Sequence, residues 1–176
     1  MFRRLLILLI LAVILILGGY LFGYRWQPME QLTRTHTRFI EAIEDKKWSR
    51  CTKLIAPDYG DRWALNRQDL SLALKDVGSQ FFIVLDMNWE TDDTKLAEDE
   101  ESGTVSGRGS FSGKGSPLAG AIESYAARYA DEVFTFHWTK QSWLPWDWKL
   151  KKIEHPSLSI PDGYKPGDLS RSESLF

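Results

Sequence analysis

The sequence predicts an α+β fold: a curved antiparallel sheet wrapped around helices, preceded by one transmembrane helix. Three observations carry this expectation. Apolar residues recur at helical spacing through residues 30–77, and from Phe81 onward the period shortens to two. The elements then follow the order three helices, two strands, one helix, two strands, which suits antiparallel hairpins with helices on one face.

The N-terminal element rests on residues 5–24, a run without a single charged side chain. At 1.5 Å per residue these twenty positions reach about 30 Å, the thickness of a bilayer's hydrocarbon core. The run outlasts the apolar core of a cleaved signal peptide and lacks an A-x-A-like site, so it reads as a retained anchor, with membrane lipid as its partner. Arg3 and Arg4 precede it, and basic residues mark the cytoplasmic side. The expectation is a single-pass protein of a bacterial inner membrane, N-terminus cytoplasmic and C-terminal domain periplasmic. The expected divisions are residues 1–25 as anchor, 26–160 as the folded domain and 161–176 as a flexible tail.

Within the folded domain, Leu32, His36, Phe39, Ile40 and Ile43 share one face of a first helix. A second helix is expected from Ser49 as N-cap, grouping Trp48, Cys51, Thr52 and Ile55 before Pro57 ends it. The third runs from Asn66 to Val77, with Leu70, Ala73, Leu74 and Val77 as its stripe and Gly78 as its stop. Residues 81–90 alternate as a strand, and the acidic stretch from Asp92 to Glu101 reads as a solvated turn. In residues 103–115 one face carries Thr, Ser, Arg and Lys, while the other is nearly bare backbone: Gly103, Val105, Gly107, Gly109, Phe111, Gly113 and Gly115. Glycine in a strand marks bending or a close neighbour, and rings from an adjacent strand could cover this face. Ser116 and Pro117 open a fourth helix with Leu118, Ile122, Tyr125 and Tyr129 as its stripe. Strands over residues 131–142 and 146–155 follow, with Trp143, Trp146 and Trp148 expected to close one end of the core, the alternative being an exposed partner or ligand surface.

This order, with the stretch FIEAIEDKKWSRCTKLIAPDYGDRW and the closing strand DWKLKKIE, resembles the nuclear transport factor 2-like superfamily over about residues 30–157. Ketosteroid isomerase and polyketide-cyclase-like domains are among its members. The resemblance implies a cone: a curved sheet around helices, with a cavity at the open end. Members include enzymes as well as domains that bind ligands or partners without chemistry, so fold does not choose between them. The isomerase members use an Asp base and an oxyanion hole of Tyr and a protonated Asp. Residue-by-residue matching puts Trp63 where that base would stand, with Asp58 and Asp61 beside it in sequence.

His36 is the sharpest candidate for acid–base work, with Asp61 or Asp86 as its carboxylate. The alternative for His36 is a core histidine bonded to a backbone carbonyl or a side chain. Candidate cavity residues are Trp48, Tyr59, Trp63, Trp89, Phe111, Tyr125, Phe136 and Trp138. His36, His137 and His155 lack the spacing of a metal site, GSFSGKG lacks that of a phosphate loop, and no cofactor is expected. The single Cys51 excludes an internal disulfide, and 22 basic against 24 acidic residues exclude nucleic acid as an expected partner. The function expected is a membrane-tethered, non-catalytic cone domain that binds an apolar small ligand or an envelope protein partner. A homodimer through the outer sheet face is a further expectation. The alternative is an isomerase or cyclase-type enzyme using His36 with a nearby carboxylate.

Overall fold

The computed structural model describes residues 10–19, 23, 27–161 and 163–169. Residues 10–19 are helical and exposed. Apart from Gly23, the rest of the predicted span over 5–24 lies outside the described residues, as do Arg3 and Arg4. Among the described residues no helix is long and apolar enough to cross a membrane.

Helix α1 (Pro28–Glu44) opens with proline in its first turn and buries Leu32, His36, Phe39 and Ala42 along one stripe. Helix α2 (Trp48–Leu54) begins one residue before the expected cap: Lys47 holds the N-cap position without a side-chain bond, and Ser49 lies inside the helix. Helix α3 (Arg67–Ser79) starts with the capping box that Asn66 and Asp69 make possible. Asn66 Oδ1 accepts from Gln68 N at 2.8 Å and Asp69 N at 3.0 Å, and Asp69 Oδ2 accepts from Asn66 N at 3.3 Å.

Gly78 does not stop α3. It sits inside the helix because the Trp48 ring occupies the place of its side chain: a Cβ there would lie 2.1 Å from the ring. Pressing α2 against α3 therefore requires glycine, at a cost in helix propensity of about 1 kcal/mol.

Four strands form one antiparallel sheet in the order β1 (Val84–Leu96), β2 (Ser102–Lys114), β3 (Phe134–Lys140) and β4 (Trp148–Glu154). β1 starts later than its alternation implies, because Phe81 turns fully inward while Phe82 and Ile83 stay exposed. It also continues through most of the acidic stretch read as a turn. Pairing with β2 carries the ladder from Asp93 to Leu96 past an irregularity at Thr91/Asp93, and Arg108–Asp92 (3.1 Å) and Lys95–Asp93 (2.6 Å) offset the carboxylates. The turn itself is tight, with Asp99 Oδ1 accepting from Glu101 N and Ser102 N.

Helix α4 (Pro117–Ala126) begins where Ser116 and Pro117 place it, the Ser116 hydroxyl accepting from Leu118 N. Ala119 is buried against Phe81 and Leu85 and Ile122 of the expected stripe packs beside it, while Leu118 is exposed. A 3₁₀ turn over Ala127–Tyr129 leads on toward β3.

One core joins the helices to the sheet. It contains Leu32, Phe39, Cys51, Ile55, Tyr59 and Leu70 with Val105, Phe136, Trp138, Trp148 and Leu150. Burial pushes the Cys51 thiol up to about 11, so it stays a packed thiol at neutral pH. The three tryptophans of the β3–β4 connection separate. Trp148 is fully buried, but Trp143 is 86% and Trp146 49% exposed, since the hairpin carries both past the last paired residues. In the tail expected to be loose, Tyr164 Oη–H and Gly167 N–H donate to Asp76 Oδ2 of α3 at 2.9 and 2.6 Å.

Gly78→Ala tests the α2–α3 seam. Overpacking costs about 1–3 kcal/mol and the gain in helix propensity returns about 1 kcal/mol, so a net loss of up to about 2 kcal/mol is expected by urea unfolding.

Candidate functional site

The interior is built around the bare face of β2. Trp89 on β1 lies against Gly107 and Gly109, where added Cβ atoms would stand 2.7 and 3.0 Å from its ring. With that space free, the indole also reaches α1. Its centroid is 4.9 Å from His36 and 5.3 Å from Phe136. Phe136 and Trp138 close the other sides of the imidazole at 4.9 and 5.9 Å.

His36 is 2% exposed, and neither ring nitrogen has a hydrogen-bond partner among the described residues. Its helix position puts it inward, as its place in the apolar stripe implies, but the expected carbonyl or side-chain partner is not found there. Burial among rings disfavours the cation and lowers its pKa from 6.5 to about 4.

The three acid–base candidates do not meet. Asp61 organises the loop before α3: it accepts from Tyr59 Oη at 2.8 Å, Trp63 N at 2.9 Å and Leu65 N at 3.0 Å. Burial and that carboxylate raise the Tyr59 phenol well above its ordinary range. Asp86 is exposed on the polar face of β1, with Ser112 as its strand partner. His137 is also on that outer face, its Nε2 2.8 Å from Glu154 Oε2.

The predicted cavity residues divide into separate places. Trp89, Phe136 and Trp138 surround His36; Trp48 fills the α2–α3 seam; Phe111 stacks edge-on with Phe81 at 5.5 Å in the smaller cluster beneath α4. Tyr59 is core. Trp63 and Tyr125 both reach the segment after β4, Trp63 Nε1 donating to Leu158 O at 2.8 Å and Tyr125 Oη to Ser159 O at 2.7 Å.

That segment forms one wall of a groove of about 480 Å³, lined by Arg62, Trp63, Leu65 and Asp69 opposite Leu158, Ile160, Tyr164 and Pro166. Arg62 donates to the carbonyls of His155 and Pro156, and its guanidinium stands 5.8 Å from the Trp63 ring centre. His155 anchors the wall from beneath. Its buried Nδ1 accepts from Leu158 N at 2.9 Å, and burial lowers its pKa. A second cleft of about 560 Å³ lies at the sheet end beside Lys95, Gly103, Thr139 and Lys151. Neither recess includes His36. Of the groove residues, sequence reasoning singled out Trp63. The alternation of Leu158 and Ile160 is the one signal that could have added the opposite wall.

A four-stranded antiparallel sheet carrying helices on its apolar face, with the interior between them, decides the architecture. The fold is that of the nuclear transport factor 2-like proteins. Three solved structures show the likeness. Bd1075 of Bdellovibrio bacteriovorus matches with a TM-score of 0.53 at 11% identity, over 75% of this chain and 41% of that one. A scytalone dehydratase candidate from Novosphingobium aromaticivorans matches at 0.52 and 12% identity, over 77% and 87%. A dehydratase candidate of the NTF2-like family from Streptomyces avermitilis matches at 0.52 and 15% identity, over 75% and 97%. This chain thus spans about two fifths of the Bdellovibrio protein's length. No protein-family model and no curated protein sequence matches the chain. At these identities the NTF2-like cone is shared as a fold, and its chemistry is not carried with it.

The unpaired His36 gives this cone a pH signature. Its pKa is 6.5 when unfolded and about 4 when folded, so the unfolded chain binds the proton first. Stability contributed by the neutral ring is present above pH 6.5 and falls as pH drops toward 4, by about 3 kcal/mol from this residue. His155 adds a change of the same sign. His36→Leu is expected to match or exceed the parent at pH 7, by up to about 1 kcal/mol, because it removes unsatisfied buried nitrogens. It is also expected to flatten the pH 6.5–4 profile in urea unfolding. An unchanged slope would contradict the assignment.

Proposed function

We propose that the chain is a membrane-tethered, non-catalytic cone domain that binds an apolar or amphipathic ligand, or a segment of an envelope protein. Residues 5–24 would hold it in a bacterial inner membrane, with the domain in the periplasm. The observation that carries the non-catalytic part is the state of the interior. Its own rings surround His36, which is buried and, among the described residues, has no hydrogen-bond partner, carboxylate included.

Binding is then assigned to the outside, at the groove between residues 62–69 and 158–166. Its volume falls within the range of ligand sites, and its lining sets Trp63 and Tyr164 with one cation at Arg62 and one carboxylate at Asp69. An apolar body with an anionic end fits beside Trp63 and Arg62. The competing acid–base reading draws on the dehydratase candidates among the similar structures. It requires a proton-exchanging pair open to substrate, and the described interior supports none.

Titration of residues 27–176 with anilinonaphthalene sulfonate, an apolar anion, checks the groove. Saturable binding is expected, weakened at least tenfold by Ile160→Asp and unchanged by Trp143→Ser. Absence of saturable binding, or indifference to Ile160→Asp, would remove the groove from the proposal.

A further inference from the structure

Trp143, at 86%, is the most exposed of the large apolar residues described, and Trp146 beside it is half exposed. Both stand on the β3–β4 connection, past the last ladder pair Lys140–Trp148. Trp143 lies three residue steps past Lys140, enough to project it about 10 Å beyond the sheet.

The same end of the sheet receives the start of α1. Leu32 packs against Gly103, and Gly103 pairs with Leu96 on one side and Trp138 on the other. The β1–β2 turn lies there too, tied to β3 by Lys140 N–H donating to Glu101 O at 2.8 Å. Helix α1 therefore begins at the end that presents Trp143. The opposite end holds Phe81, Gly113 and the start of α4.

The chain allows little slack between that end and the apolar run. Three residues lie between Tyr24 and Pro28, four Cα–Cα steps with a reach of at most about 14 Å. Any bilayer that holds residues 5–24 is thus within reach of the tryptophan tip. Indole prefers the headgroup level, where its ring is half buried and its N–H stays wet.

We infer that the Trp143–Trp146 tip is a second membrane contact, seated in the lipid interface and fixing the cone's orientation on its stalk. This inference rests on the proposed tether. The short connection favours lipid over a protein partner at this tip. The exposed Glu98, Asp99, Glu100 and Glu101 on the adjoining turn select for weakly charged lipid, since anionic headgroups would repel them.

The test uses the full chain reconstituted in phosphatidylcholine vesicles, with and without acyl-chain bromine. Flotation reports the tether. The emission difference between the parent and a Trp143→Ser/Trp146→Ser variant isolates the tip from the other tryptophans. The expected result is that both proteins float, and that the tip's emission falls at least twofold with brominated lipid. It should also fall less sharply when phosphatidylglycerol is added. Flotation with an unquenched tip would overturn the inference while leaving the tether intact, and would turn the tip over to a protein partner. Failure to float would overturn tether and inference together.

Discussion

The cone is organised by one contact: the Trp89 indole laid across the bare backbone of β2. Gly107 and Gly109 have no side chains there, so the ring enters the space that a Cβ would otherwise fill. Only from that position does it meet His36 on α1 and Phe136 on β3. Larger residues at the glycines would lift the ring and separate helix from sheet. The seam between α2 and α3 works the same way, with Trp48 on Gly78. In both places glycine supplies room for an aromatic neighbour, rather than the freedom to adopt a positive φ.

This packing has a chemical consequence. In a cone with an open interior, a histidine on the first helix would be positioned to exchange protons. Here the rings that hold the sheet against α1 also seal the imidazole away from water and carboxylates. The contacts that close the core are thus the same ones that bury His36. Two recesses remain on the outside, one at the sheet end and one where the loop before α3 meets the segment after β4.

Local signals were the most legible part of the sequence. The Asn66–Asp69 box and the Ser116–Pro117 start act within a few residues, and both helices begin where those signals place them. The alternation of β2 likewise showed its glycine face and the need for covering rings. Less legible were features decided by distant partners. Gly78 carries the same letter whether it ends a helix or admits an indole, and only Trp48 distinguishes the two. The acidic run after Thr91 reads as a solvated turn on charge alone, but its pairing with β2 outweighs that preference. Trp143 and Trp148 differ by five positions in one aromatic run, and the hairpin's length determines which is buried. His36 was readable as inward-facing, while its missing partners depend on three rings from two other strands.

Asp76 shows how far such a distant partner can reach. It lies on α3 and is fully buried, and a phenol and a peptide N–H from residues 164 and 167 converge on its carboxylate. Desolvating a carboxylate is tolerable when donors surround it, and these two arrive last along the chain. Proteolytic trimming ahead of Tyr164 would therefore do more than shorten a surface strap. It would withdraw two donors from a charge inside the helical layer, making the integrity of α3 depend on residues nearly ninety positions downstream.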